Sequence, residues 1–198
     1  MLSKAFFAGL ALLLSVGHAY ASVAREIVNL ATGLRVDVKG ASKAPMTGAI
    51  LWPDNASGSQ EFWLLQNRSD QFFYLMADHS EQCLMLDWRN GNYHNGTLVI
   101  QFPHCWNDPH EPYPAAEWEW SYVVDNCHIE WQDCGLDRRM ILVNKATGKC
   151  LDAGNALGGK PPQGAVLQVW DCITSIGQWN AGNQLWTTAH TTSRKPER

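Results

Sequence analysis

Residues 150–186 read CLDAGNALGGKPPQGAVLQVWDCITSIGQWNAGNQLW, and they are the most informative part of the chain. Short apolar runs alternate here with clusters of Gly, Pro and Asn, a pattern that predicts strand, glycine-rich loop, strand, cysteine, loop and strand. Side chains alternate between the two faces of a strand. Gln168 and Trp170 are therefore predicted to lie on one face of the second strand.

Five side chains of this stretch form a group suited to a sugar: Asp152, Gln168, Trp170, Asn183 and Gln184. A carboxylate accepts hydrogen bonds from neighbouring hydroxyls, and amides both donate and accept them. An exposed indole can cover the apolar C–H face of a pyranose. The alternative is that Trp170 and Trp186 both belong to the core. We expect burial for Trp186 and solvent exposure for Trp170.

Internal repetition organises the whole chain. Asn29, Ala31, Thr32, Gly33 and Asp37 fall on Asn144, Ala146, Thr147, Gly148 and Asp152 at a constant offset of 115 residues. An Asn-x-Ala-Thr-Gly turn between two apolar runs predicts a hairpin in which the glycine supplies a positive φ. Repeated units of this size pack against one another to share a core. Arg35 occupies the place of Cys150, so the first copy is predicted to lack a disulfide.

The six cysteines are Cys83, Cys105, Cys127, Cys134, Cys150 and Cys172. The first two are 22 residues apart, the last two are also 22 residues apart, and the two pairs are offset by 67. Equal spacing within repeated units predicts the disulfides Cys83–Cys105 and Cys150–Cys172, which leaves Cys127–Cys134 as a short local loop. The absence of a C-x2-C motif argues against zinc, so we expect no metal and no cofactor.

The amino terminus predicts export. Residues 1–21 hold one lysine, an apolar run and Ala19-Tyr20-Ala21, the three parts of a cleaved secretory signal. The chain is predicted to be secreted, or periplasmic in a bacterium, which suits disulfides. No run is long enough for a comfortable membrane span. A net charge of −4 makes nucleic acid an improbable partner, and ten tryptophans suggest outward-facing aromatics.

Residues 150–186 resemble the γ subdomain of the ricin B-type lectins. The resemblance is carried by Cys150-Leu151-Asp152, by residues 168–172 (QVWDC) and by Asn183-Gln184-Leu185-Trp186, whose Gln184 and Trp186 match the Q-x-W signature. It implies a single β-trefoil, with three four-stranded repeats closed into a six-stranded barrel capped by hairpins. It also implies that the third repeat holds galactose or N-acetylgalactosamine and that the partners are cell-surface glycans.

The resemblance places the repeats at about 26–66, 71–122 and 139–189, with an insertion at about 106–138 and a polar tail at 191–198. Second-site candidates are Asp37 and Trp52 in the first repeat, and Asp87, Gln101 and Phe102 in the middle one. In the first repeat Gln60-Glu61 stand where Asn-Gln is expected. In the middle repeat Glu117-Trp118-Glu119-Trp120 do so, and Asp87 is taken as a better match than Met85 to the ligand aspartate.

An enzyme is not expected, because the chain has no G-x-S-x-G, H-E-x-x-H or P-loop motif. Two other classes stay open. One is a delivery subunit of a multi-chain toxin that attaches to cells beside a catalytic partner subunit. The other is a trefoil protease inhibitor, for which the Cys127–Cys134 loop is the candidate reactive loop. The N-glycosylation patterns at Asn55, Asn67 and Asn95 matter only in a eukaryotic host.

Overall fold

The computed structural model describes residues 24–66, 71–89, 91, 93–103, 105–108, 111–123, 140–154, 159–173 and 181–190. The strands are β1 Arg25–Asn29, β2 Arg35–Val38, β3 Ala49–Trp52, β4 Phe62–Gln66, β5 Phe73–Ala77, β6 Cys83–Leu86, β7 Thr97–Phe102, β8 Trp106–Asp108, β9 Glu111–Pro112, β10 Glu117–Tyr122, β11 Met140–Asn144, β12 Cys150–Ala153, β13 Leu167–Trp170 and β14 Trp186–His190. Short 3₁₀ turns occur at Lys39–Ala41, Pro114–Ala116 and Ala181–Asn183. These ranges contain no α-helix, so the predicted all-β class is confirmed.

Six of the strands close into a barrel. The ring runs β1, β4, β5, β10, β11, β14 and back to β1, and every neighbouring pair is antiparallel. Closure leaves none of these six strands as a free edge. The predicted six-stranded barrel is confirmed.

Three hairpins cap the barrel, one from each copy of the repeat: β2–β3, β6–β7 and β12–β13. They join one another through the pairing of β13 with β7 and through bridges from Gly48 to Ile100 and from Ile50 to Val166. The register is the same in each, with Trp52, Phe102 and Trp170 opposite the first residue of the partner strand. Equivalent positions of the three copies therefore follow directly from the strand pairing.

The turn that opens each copy is conformationally alike in all three. Gly33 and Gly148 have φ of +72° and +64°, as the Asn-x-Ala-Thr-Gly pattern predicts. Glu81 occupies the same position in the second copy with φ of +56°. Each donates its backbone N–H to the residue four positions earlier, at 2.8, 2.8 and 2.9 Å. The second copy thus holds a non-glycine residue in a left-handed conformation that favours glycine.

Large rings fill the interior at equivalent positions of the last barrel strand of each copy. Phe62, Trp118 and Trp186 are each 0% exposed. The two indoles donate their Nε1–H to the backbone carbonyls of Leu84 and Leu151, at 3.0 and 3.1 Å. A buried indole stabilises a core when its N–H also has a partner. The expectation that Trp186 is a core residue is confirmed.

The two disulfides predicted from equal spacing are both present, Cys83–Cys105 and Cys150–Cys172. In the first copy an ion pair stands in their place, because Arg35 Nη2 lies 3.2 Å from Asp54 Oδ2. Arg35 also contacts Glu26 at 3.3 Å. The predicted Cys127–Cys134 bridge lies outside the described residues.

Of the predicted insertion, residues 106–108 and 111–112 form the small hairpin β8–β9. The predicted signal peptide at 1–21 and the tail at 191–198 lie outside the described ranges, as does the middle of the insertion. Within those ranges, no helix has the length and apolar character needed to cross a membrane.

Candidate functional site

The site is built around the carboxylate of Asp152 on β12. Gln168 lies directly opposite it on β13, and its Nε2 donates to Asp152 Oδ1 at 3.0 Å. Directly opposed residues in an antiparallel pair point to the same face, which brings these two side chains together. The predicted convergence of Asp152 and Gln168 is therefore seen in the structure.

The second half of the site comes from the 3₁₀ turn that precedes β14. Asn183 Nδ2 donates to Asp152 Oδ2 at 2.5 Å, and Gln184 Nε2 donates to the same oxygen at 2.9 Å. Three amides thus converge on one carboxylate that is only 3% exposed. A buried carboxylate is tolerated when several N–H donors satisfy it.

Gln184 acts behind the site and does not line its cavity. Its Nε2 also donates to the Asp171 carbonyl at 3.1 Å, and its Oε1 accepts the Ile173 N–H at 2.9 Å. Its side chain is 1% exposed. Every hydrogen bond of Gln184 therefore goes to the protein, so this residue orients Asp152 and contributes no atom to the cavity wall.

A cavity of about 370 Å³ opens above this carboxylate. Its lining residues are Asp152, Ala153, Gly154, Val166, Gln168, Trp170 and Asn183. The Trp170 side chain is 41% exposed, which confirms that this indole faces solvent while Trp186 does not. An aromatic wall with a few convergent polar groups is the usual make-up of a small-molecule site.

Two acceptors on residues that line this cavity have hydrogen-bonding capacity that the described residues do not use. Asn183 Oδ1 is buried and has no hydrogen-bond partner among the described residues. Asp152 Oδ1 accepts a bond from Gln168 and retains a second lone-pair direction. A buried acceptor left without a partner is costly, so a hydroxyl that donates to Asn183 would be favoured there.

Burial raises the pKa of the Asp152 carboxyl, while hydrogen bonds from Gln168 and Gln184 act in the opposite direction. Burial likewise raises the pKa of Asp37 in the first copy, against hydrogen bonds from Gln60, Ser59 and Asn55. The two aspartates thus share an environment, and they also share a register, since Asp37 lies opposite Ile50 as Asp152 lies opposite Gln168.

The first copy keeps the supporting glutamine, which corrects the sequence alignment by one residue. Gln60 Nε2 donates to Asp37 Oδ2 at 2.7 Å and to the Pro53 carbonyl at 2.9 Å, and its Oε1 accepts the Asn55 N–H at 3.0 Å. These contacts reproduce those of Gln184. Ser59-Gln60 therefore stand in the place of Asn183-Gln184, and the expected replacement by Gln60-Glu61 is wrong.

Trp52 of the first copy is 38% exposed at the position equivalent to Trp170. Ile50 replaces Gln168, and Ser59 replaces Asn183. The structure thus brings Asp37, Gln60 and Trp52 together in the arrangement of the third copy, but without an amide at the positions of Gln168 and Asn183.

The middle copy does not assemble its predicted residues in this way. Met85, and not Asp87, lies opposite Ile100 at the place equivalent to Asp152, which corrects the preference for Asp87. Asp87 pairs instead with Arg89, whose Nη2 lies 2.6 Å from Oδ2, and hydrogen bonds from Arg89 lower the pKa of that carboxyl.

Gln101 is also turned away from the equivalent site. It is fully buried, and its Nε2 donates to the carbonyls of Ser42 and Ala44 at 2.8 and 2.7 Å. Phe102 occupies the position of Trp170, where it meets the Trp88 ring edge-on at 4.7 Å between centroids. Ala115-Ala116 stand where Asn183-Gln184 lie in the third copy, because Trp118 is the equivalent of Trp186; the match to Glu117-Trp118-Glu119-Trp120 is two residues out.

The outer wall of the third-copy site was not predicted from the sequence. Asn95 and Gly96, on the β6–β7 loop of the middle copy, lie against Asp171 and the Trp170 ring. The Asn-Gly pair at 95–96 signals a tight turn, but no local pattern indicates that this turn packs on another repeat.

Comparison with known proteins agrees with this geometry. Residues 20–102 match the sequence profile of the family described as ricin-type beta-trefoil lectin domain-like, over the first copy and most of the second. The chain is a β-trefoil similar to the ricin-type lectins. Among curated proteins, no sequence matches this trefoil significantly.

Solved structures with a similar fold include two lectins and a toxin. A ricin B-like lectin of Macrolepiota procera, solved with lactose, is 18% identical with a TM-score of 0.57, over 85% of this chain and 96% of that one. The C-half of an earthworm R-type lectin, solved with GalNAc, is 15% identical with a TM-score of 0.52, over 85% and 98%. The Haemophilus ducreyi cytolethal distending toxin is 12% identical with a TM-score of 0.58, over 88% and 87%. At these identities the likeness concerns the fold.

Proposed function

We propose that this trefoil is a secreted lectin whose third copy binds a terminal galactose or N-acetylgalactosamine. The observation that carries the proposal is the joint presence, around one cavity, of the Asp152 carboxylate and an exposed indole. Two lectins of similar fold were solved with lactose and with GalNAc, which favours this class of sugar.

In this proposal the residues have three roles, which are hydrogen bonding to the sugar, stacking on it and positioning of the carboxylate. Asp152 Oδ1 and Asn183 Oδ1 accept bonds from two sugar hydroxyls, and Gln168 adds a donor beside them. The Trp170 indole covers the apolar face of the ring. Gln184 holds the carboxylate in place from behind. All of these are binding roles, and we propose no catalytic role for the chain.

A single shallow site of this kind binds weakly. A sugar hydroxyl must exchange good hydrogen bonds with water for those in the cavity, and one stacked ring adds little more. We therefore expect a dissociation constant on the order of millimolar. The Asp37–Trp52 group of the first copy is proposed as a weaker second site, because Ile50 and Ser59 offer fewer hydrogen bonds than Gln168 and Asn183.

The test is a glycan array on the oxidised protein, followed by calorimetric titration with galactose. Asp152→Ala should weaken binding by about tenfold or more, since a hydrogen bond to a charged group contributes about 1.5–3 kcal/mol. Trp170→Ala should weaken it by about three- to tenfold, since a stacked ring contributes about 0.5–1.5 kcal/mol. Trp88→Ala removes another exposed tryptophan, from the middle copy, and should leave affinity unchanged. A wild-type protein that binds no galactose-terminated glycan would contradict the proposal.

A second candidate is a delivery subunit of a toxin, favoured by the likeness to the cytolethal distending toxin. Such a subunit would attach to cells and to a catalytic partner chain. Cell attachment that persists in Asp152→Ala would favour this role over sugar binding, whereas attachment that is lost with galactose binding would favour the lectin.

A further inference from the structure

We propose that Asn95, together with Lys149 and Asp171, forms a polar clamp through which the middle copy positions the third-copy site. This proposal rests on the proposed lectin function. The clamp joins the β6–β7 loop to the residue that follows Trp170, at the rim of the cavity.

Four contacts close the clamp. Asn95 Nδ2 donates to Asp171 Oδ2 at 2.8 Å, and Asn95 Oδ1 accepts the Asp171 backbone N–H at 3.0 Å. Lys149 Nζ donates to Asn95 Oδ1 at 2.8 Å and to Asp171 Oδ1 at 2.5 Å. The Asn95 amide therefore hydrogen-bonds both the side chain and the backbone of Asp171. The Lys149 ammonium contacts both Asn95 and Asp171.

Asp171 is connected to both halves of the site. It follows Trp170 directly, so its backbone fixes where β13 ends and where the indole starts. Its carbonyl accepts the Gln184 Nε2 bond at 3.1 Å, and the same Nε2 donates to Asp152. Displacement of Asp171 would thus disturb the stacking ring and the amide that orients the carboxylate.

The loop that carries Asn95 also touches the site directly. Gly96 donates its N–H to the Val169 carbonyl at 2.9 Å, one residue before Trp170. A Cβ on Gly96 would lie 3.8 Å from Cζ3 of the Trp170 ring and 3.9 Å from Gln168 Oε1. The middle copy thus supplies a wall along the edge of the indole.

At the equivalent position, the other two copies lack the backbone donor that the clamp uses. The residues that follow Trp52 and Phe102, equivalent to Asp171, are Pro53 and Pro103, which have no N–H to donate. Gln163 is the equivalent of Asn95 for the first copy, since Gly164 donates to the Leu51 carbonyl as Gly96 does to Val169. Gln163 is exposed, and the residue equivalent to Asp171 in the first copy is Pro53, so Gln163 offers a matched control.

The experiment uses Asn95→Ala, Asp171→Ala, their double variant and the control Gln163→Ala in the full chain. Galactose affinity is measured by calorimetry, and hydrogen exchange reports the Asp171 amide. The ¹⁹F resonance of 5-fluorotryptophan at position 170, assigned with Trp170→Phe, reports the indole without any sugar.

Each single clamp variant should weaken galactose binding by about three- to tenfold, and the double variant no further, because contacting residues are not additive. Asn95→Ala should also expose the Asp171 amide to exchange and shift or broaden the Trp170 resonance. Gln163→Ala should do none of this. An Asn95→Ala protein with wild-type affinity, or a double variant whose losses add, would overturn the clamp.

A wild-type chain that binds no sugar would instead overturn the lectin proposal. The clamp would then be judged by exchange and fluorine spectra alone, and an unaltered Trp170 resonance in Asn95→Ala would refute it.

Discussion

Among single residues, Asp152 is a buried carboxylate that is hydrogen-bonded by the protein and also lines the cavity. Gln184 and Asn183 occupy its Oδ2, so that oxygen is committed to the protein. Its Oδ1 accepts the Gln168 bond, and Asp152 is one of the residues that line the cavity. The side chain that is most constrained is thereby also the one that presents a charged acceptor to a ligand.

Protonation of Asp152 should affect stability and binding in opposite directions. Burial raises its pKa in the folded state, so this group contributes stability that is present at low pH and is lost as pH rises through the raised pKa. Sugar binding needs the ionised acceptor, so affinity should fall as pH drops through the same raised pKa. Calorimetry between about pH 7 and pH 4, with a thermal melt at each pH, measures both.

Trp170→Phe keeps the carboxylate and should bind more weakly with the same midpoint in pH. A binding midpoint at or below the ordinary range for an aspartate would contradict the role of the buried acceptor.

Glu81 carries a second prediction at this scale. It has φ of +56° where the other two copies have Gly33 and Gly148. Glu81→Gly should raise the free energy of unfolding by about 0.5 kcal/mol, because relief of a left-handed conformation costing about 1–2 kcal/mol is partly offset by the greater freedom of glycine in the unfolded chain. Chemical denaturation measures the difference.

The mirror experiment is Gly33→Ala, in which the new Cβ meets no atom within 4 Å. It should destabilise the protein by about 1 kcal/mol from conformation alone. If Glu81→Gly proves less stable than wild type, contacts of the glutamate outweigh its backbone strain.

Among the elements, the residues alone were sufficient for the all-β class and for the disulfides of the second and third copies, whereas the trefoil was predicted from the family resemblance. Alternating apolar residues and repeated turns reflect local chemistry, which a single chain displays directly. The residues before the last strand of each copy were harder to align with Asn183-Gln184 from the sequence. The first-copy alignment was one residue out because Trp63, rather than Phe62, was matched to Trp186. Only the packing shows that the buried Phe62 is the residue equivalent to Trp186.

The prediction of a site aspartate in the middle copy was wrong for a related reason. Asp87 is the nearest carboxylate to the expected place, yet the strand register assigns that place to Met85. Asp87 lies two residues after Met85 and beyond the end of β6 at Leu86, so the motif match chose a residue outside the strand that holds the equivalent position. The contacts of Asn95 with Asp171 were beyond prediction because they join residues 76 positions apart.

The first hairpin offers a third prediction, since an ion pair occupies the place of a disulfide. Arg35 and Asp54 are equivalent to Cys150 and Cys172. A partly exposed pair of this kind contributes about 0–1 kcal/mol, whereas a disulfide closing a loop of this length contributes about 3 kcal/mol. Arg35→Cys/Asp54→Cys should therefore form a bridge and raise Tm.

Thiol titration and melts with and without reductant test this prediction, and Arg35→Ser/Asp54→Ser is the matched control that cannot crosslink. Free thiols in the oxidised double-cysteine variant would show that the two hairpin ends do not meet as those of the third copy do.

In the whole molecule, the threefold repetition extends to the fold but not to the residues of the candidate site. All three copies share the barrel closure, the cap hairpins and an equivalent interior ring, which are the parts that a common core requires. Only the third copy combines the buried aspartate with Gln168, Asn183 and an exposed indole. The other two copies serve mainly as scaffold for that site, and the middle one also forms its outer wall.

This asymmetry predicts that a single chain binds a glycan surface weakly and that linked chains bind it much more tightly. If only the third-copy site binds appreciably, one chain cannot bridge two glycans, so an isolated chain should not agglutinate cells. Two linked chains bind a glycan-coated surface with an effective concentration set by their linker, which can increase retention by about 10²-fold or more without any new contact. A tandem fusion of two mature chains, compared with one chain on galactose resin, measures the gain.

The matched control is a tandem in which one chain carries Asp152→Ala. If the third-copy site provides the binding, this hybrid should be retained about as weakly as a single chain. Retention of the hybrid equal to that of the full tandem would mean that another surface, such as the first-copy group, supplies the second contact. Agglutination by the single chain would show directly that the molecule holds two effective sites.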